Sequence, residues 1–225
     1  MAVKMADNIS ADKVRAGIAL YSRLFLSLYD SFALGFSCRF VWKCPSSNML
    51  EMYNKHVSAN HLDIGVGTGY FLDHCQFPTK SPRLALMDLN PNSLHIASKR
   101  LARYNPEVYK RNALEPFNVD APAFDSVGIM NLLHCLPGNL SVEGIVFENI
   151  KSVLNPGGIV FGSIIMYNGV KRNSLATAIL KVNNLKGIMS NMEDDFKSLQ
   201  QSLQRHFSAS SVQTIGCEAL FWAQE

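Results

Sequence analysis

The chain has 225 residues, 48% of them hydrophobic, and its 21 basic and 18 acidic side chains leave a net charge of +3. That length suits one well-buried domain, and that composition excludes a disordered chain. So small a charge excess gives no reason to expect nucleic acid or an anionic membrane as a partner.

In chain order, residues 1–12 carry Lys4, Asp7 and Asp12 without an uninterrupted apolar core, unlike a secretory signal. The most apolar stretch, 16–36, is broken by Arg23 and Asp30 and falls short of a membrane span. Cys38, Cys44, Cys75, Cys135 and Cys217 are scattered, with no Cys-x-x-Cys. They predict neither a disulfide framework nor a metal site, and a reducing, cytoplasmic setting is expected. A helix is predicted over 11–29, where Val14, Ile18, Tyr21, Phe25 and Leu28 recur at steps of three and four. A less regular stretch, 36–42, precedes a second helix over 46–56. The expectation is a single domain: a helical N-terminal cap (1–56) on a core (57–225).

From residue 61 the pattern alternates. Strands are predicted over 61–66, 83–89, 107–113, 124–130 and 158–165, and helices over 68–75, 90–104 and 141–154. Asn90-Pro91 is a good helix start, because Asn caps free N–H groups and Pro has none to leave unpaired. Segment 166–192 reads as a long polar loop with a short helix around 175–181. A helix over 193–207 and strands over 209–215 and 217–224 end the chain. Strand–helix alternation implies a parallel sheet covered on both faces, whereas Gly216 alone between the last two strands forces them antiparallel.

The most informative local feature is Leu62-Asp63-Ile64-Gly65-Val66-Gly67-Thr68-Gly69, where a strand meets a helix. Its glycines permit positive φ and close approach of a ligand, and a helix start offers unpaired N–H groups. A tight strand–helix turn with no ligand is the plain alternative. Asp88, ending the second strand, is placed to accept hydrogen bonds from a ribose diol, or only to help cap the next helix. A pyrophosphate-binding turn needs its third glycine at residue 70, which is Tyr, and Asp63 beside it would repel phosphate. A cationic sulfonium with an ammonium tail has the opposite requirement.

Asp63-x-Gly65-x-Gly67-x-Gly69, Asp88, Phe124-Asp125 and Leu154-Asn155-Pro156-Gly157-Gly158 together resemble the ordered motifs of class I S-adenosylmethionine-dependent methyltransferases. The resemblance covers about residues 50–225 and is nearest to small-molecule enzymes of secondary metabolism. It implies an α/β, Rossmann-like sheet of seven mostly parallel strands with a C-terminal antiparallel hairpin and helices on both faces. It implies S-adenosyl-L-methionine as cofactor and a small-molecule acceptor, such as a polyketide. Asp63, Gly65, Gly67 and Gly69 would lie near the methionine part, Asp88 at the ribose, Leu89, Asn112 and Ala113 at the adenine, and Asn131 and Leu132 near the reactive methyl. Asn112 departs from the acidic residue common at that place, although its side-chain carbonyl can accept the same hydrogen bond.

His134, just past the fourth strand, is the candidate general base, with a structural loop histidine as the alternative. Tyr29, Trp42 and His134 are expected in the substrate pocket. Two other functions compete: a cofactor-binding relative that cyclises or only binds, and a nicotinamide oxidoreductase, which the misplaced third glycine disfavours.

Overall fold

The computed structural model describes residues 30–117, 122–138 and 140–225. The helix expected over 11–29, and Tyr29 with it, lies outside these residues. The described chain opens with a π-helical segment, Asp30–Val41, followed by α1 (Ser46–His56), β1 (Asn60–Ile64), α2 (Tyr70–His74), β2 (Arg83–Asp88) and α3 (Pro91–Arg100). Next come β3 (Glu107–Lys110), β4 (Phe124–Met130), α4 (Leu140–Lys151) and β5 (Leu154–Ile165), and then α5 (Ser174–Leu185), α6 (Phe196–His206), β6 (Ala209–Ile215) and β7 (Glu218–Gln224).

The seven strands form one sheet in the order β3-β2-β1-β4-β5-β7-β6. β1 to β5 pair parallel, while β7 pairs antiparallel with both β5 and β6. This is the expected α/β sheet with its antiparallel hairpin. The inner strands have the apolar runs of a sheet buried on both faces, as in Leu84, Ala85, Leu86 and Met87 of β2, whereas β3 and β6 at its edges alternate with exposed positions. One core, around Val127, Phe147, Val160, Leu203 and Phe221, lies under α4 and α6. The other, around Trp42, Tyr53, Leu86, Ala97 and Phe161, lies under the π-helical segment, α1 and α3.

Several predicted elements change. The stretch 36–42 is helical, but its i→i+5 winding, seen where the Trp42 N–H donates to Ser37 O at 2.9 Å, leaves no 3.6-residue period in the sequence. The loop 166–192 holds a full helix, α5, capped by Asn173, whose side chain accepts from the Ala176 N–H at 2.7 Å. β3 ends at Lys110, so residues 111–113 are free to line the sheet's carboxyl edge. β5 begins early, at Leu154, through the Asn-Pro-Gly-Gly stretch. No described helix is long and apolar enough to cross a membrane. Among the described residues no group of three metal-ligating side chains comes together, and all five cysteines are free thiols.

Candidate active site

Strand order reverses between β1 and β4, and an open α/β sheet leaves a crevice there, beyond the carboxyl ends of its strands. The crevice is a cleft of about 940 Å³ with its open mouth included, ample for a ligand of nucleoside size. Its first wall is the turn after β1. Gly65, Gly67 and Gly69 all adopt positive φ, between 56° and 74°. At Gly65 an added Cβ would lie 2.8 Å from Leu132, so turn and β4 loop pack closely. At Gly67 an added Cβ would meet nothing within 4 Å: the turn faces open space there.

Asp88 forms the second wall. Its Oδ1 accepts the Asn90 N–H at 2.8 Å, and the Asn90 side chain caps α3 by accepting from the Asn92 N–H at 2.9 Å. Burial pushes the Asp88 carboxyl up to about 6, and nearby Asp63 adds to the rise, while backbone N–H groups of Asn90, Gly67 and Leu89 oppose it. One Asp88 oxygen thus braces the helix start, and the residue also lines the cleft.

Of the expected site residues, Gly65, Gly67, Asp88, Leu89, Asn112, Ala113, Asn131 and Leu132 line this one cleft. The Asn112 side-chain oxygen, Oδ1, accepts the Leu114 N–H at 3.1 Å, which leaves it one further lone pair. Asn131 takes a positive φ of 54°, and its side-chain oxygen accepts from Ser163 Oγ at 2.9 Å. Asp63 and Gly69 lie behind the wall. The Asp63 carboxylate points inward, where Oδ2 accepts the Tyr53 hydroxyl at 2.6 Å and lies 3.5 Å from His61 Nε2. Burial first, and then Asp63, keep the Tyr53 phenol protonated. His61 meets Ser126 Oγ at 2.8 Å through Nδ1, while its Nε2 makes no hydrogen bond, so Tyr53 is what anchors the carboxylate.

His134 and Trp42 are not brought to the cleft. His134 is 3% exposed; its Nδ1 accepts the Ile165 N–H at 3.2 Å, and burial lowers its pKa to about 4. Trp42 is buried in the core beneath the π-helical segment, and its carbonyl accepts the Cys217 N–H at 2.7 Å. Ser93, Arg111, Met130 and the Leu136-Pro137 pair also line the cleft, and no motif marks them in the sequence. Ile188 joins them from the 166–192 segment, where α5 carries the chain back over the cleft. A second, more polar recess shares Pro137 with the first and adds Asn184 and Ser190.

The lining has the chemistry an adenosyl ligand needs: open backbone at Gly67, a carboxylate at Asp88, and apolar Leu89 and Ala113. The comparisons agree. Residues 62–160 match the model of a methyltransferase domain family. The chain is 36% identical to demethylluteothin O-methyltransferase of Streptomyces thioluteus, over 96% of this chain and 94% of that protein. It is 37% identical to the physcion biosynthesis cluster O-methyltransferase of Aspergillus chevalieri, over 93% of this chain and 95% of that one. Its fold superposes on the solved DhpI–SAH complex with a TM-score of 0.69 at 16% identity, covering 96% of this chain and 98% of that one.

Proposed function

The chain belongs to the S-adenosylmethionine-dependent methyltransferases, and from that membership we propose that it methylates a hydroxyl oxygen of a small secondary metabolite. The observation that carries the choice of oxygen is that a bacterial and a fungal relative, matched over 96% and 93% of this chain, are both O-methyltransferases.

In this reading Gly65 and Gly67, backed by Gly69 and the inward carboxylate of Asp63, hold the methionine part of the donor. Asp88 takes the ribose diol, Leu89 with Asn112 and Ala113 flank the adenine, and Asn131 and Leu132 border the reactive methyl. When bound, the donor supplies both the electrophilic methyl and its own leaving group. What the chain adds is alignment and exclusion of water, and alignment alone is worth about 7–11 kcal/mol of barrier. In the same reading the acceptor lies along Leu136, Pro137 and Ile188, a choice supported by Pro137 also bordering the second recess. This relocates it from Trp42, whose ring is in the core. As a store for the hydroxyl proton His134 is weak, because its Nδ1 lone pair is taken and its pKa lies near 4.

The test incubates the protein with methyl-labelled S-adenosylmethionine and demethylluteothin, the compound in the name of the Streptomyces relative, beside a panel of phenols and amines. Label recovered on oxygen supports the proposal. Label on nitrogen, or S-adenosylmethionine binding without transfer to any acceptor, overturns it.

A further inference from the structure

The turn that faces the cleft has few side-chain handles. Val66 is one, buried in the core, and Thr68 is the other, between two glycines of positive φ. Thr68 is 3% exposed and lies outside the cleft lining. Its hydroxyl donates to Asp30 Oδ1 at 2.6 Å. The other Asp30 oxygen, Oδ2, accepts from Arg100 of α3 at 2.6 Å, and Arg100 also reaches Thr68 Oγ1 at 3.1 Å. The three groups close a triangle in which each carboxylate oxygen has its own donor. The hydroxyl gives its one proton to Asp30 and accepts from Arg100.

Asp30 is the first residue of the π-helical segment. The far end of that segment is fixed independently. The Trp42 carbonyl accepts the Cys217 N–H at 2.7 Å. Gly216 packs so tightly on Trp42 and Lys43 that any Cβ there would collide with their carbonyl oxygens. The segment therefore runs as a strap from the glycine turn to the β6–β7 turn. Leu34, Cys38 and Val41 face inward, and Phe32, Phe36 and Phe40 stack outward with ring centroids 6.1 and 5.2 Å apart.

We propose that Asp30 is a positioning residue for the methyl donor: through Thr68 and Arg100 it fixes the glycine turn from behind and couples donor binding to the strap. This rests on the donor site described above. A glycine-rich turn loses much backbone freedom when it is ordered, and a carboxylate that has already fixed Thr68 removes part of that cost before the ligand arrives. Coupling is reciprocal, so a donor that favours the fixed turn also favours the latched strap.

The experiment uses S-adenosylhomocysteine as probe, with calorimetry for affinity and hydrogen–deuterium exchange over residues 30–41, on the wild type, Asp30→Asn, Asp30→Glu and Thr68→Val. In the wild type, binding should slow exchange across the strap. In Asp30→Asn, affinity should fall about tenfold, and the ligand should no longer slow strap exchange. Asp30→Glu should recover part of both. If Asp30→Asn does not fold, Thr68→Val removes the same contact from the other side and should show the same pair of effects. Ligand affinity within twofold of wild type, or ligand-independent strap exchange in the wild type, overturns the proposal. Failure of the wild type to bind the probe at all would instead overturn the donor site itself.

Discussion

With the proposed ribose contact at Asp88, donor binding should depend on pH. Burial pushes the Asp88 carboxyl up to about 6, and only the ionised form offers a diol two charge-assisted acceptors. The ionised fraction falls from about nine-tenths at pH 7 to about one-tenth at pH 5. The apparent Kd for S-adenosylhomocysteine should therefore rise about tenfold over that interval, a change of ~1.3 kcal/mol. Without ligand the sign is opposite. A carboxyl raised above its unfolded value contributes stability that is complete below about pH 4 and is lost as pH rises through about 6. The free protein should thus lose this contribution over the range in which the complex tightens. Calorimetric titrations at half-unit steps from pH 5 to pH 8, at constant ionic strength, read the first effect. Asp88→Asn keeps the shape and removes the titration, so it should bind weakly with no slope between pH 5 and pH 7. A flat wild-type profile, or a slope that survives in Asp88→Asn, would refute the reasoning.

Other variants separate the walls of the site from its supports. His134→Phe leaves the buried Ile165 N–H without its acceptor and should cost about 1–3 kcal/mol by urea denaturation. Because burial lowers the His134 pKa to about 4, the neutral ring contributes stability that is present above about 6.5 and lost as pH falls through 4. The variant should lack that acid-side decline in thermal melts. Gly128→Ala would place a Cβ 2.8 Å from Asp63 Oδ2, against the bond to Tyr53; it should destabilise by about 1–3 kcal/mol, and Tyr53→Phe should weaken the protein by about 1.5–3 kcal/mol by removing that charged hydrogen bond. Gly67→Ala has room for its methyl but not the backbone for it, at φ 56°. It should cost about 1–2 kcal/mol of stability while S-adenosylhomocysteine affinity falls about tenfold or more, since the methyl enters the space the donor takes.

Most of the frame could be read from the chain because its signals are local. The turn glycines, the Asn90 cap and the single Gly216 between two strands each specify geometry within a few residues. Eight expected cofactor positions gather at one cleft because strand ends carry them there, and a strand end is visible in sequence. What escaped is non-local or aperiodic. Asp30 meets Arg100 across 70 positions, and nothing near either residue marks the pair. The inward turn of Asp63 depends on Tyr53, from a different element. His134 reads as a base because it follows the fourth strand and an ordinary imidazole titrates near neutrality, whereas the 3₁₀ turn Leu133–Cys135 folds it under β5. The π-helical segment concealed Trp42 in the same manner: its burial follows a winding that ordinary periodicity does not reveal.

The central claim is that this cleft holds the methyl donor. A crystal structure of the protein soaked with S-adenosylhomocysteine tests it most directly. The account predicts the ribose hydroxyls on Asp88, the adenine between Leu89 and Ala113, and the thioether sulfur toward Asn131 and Leu132. Ligand bound elsewhere, or a ribose that does not touch Asp88, would contradict it.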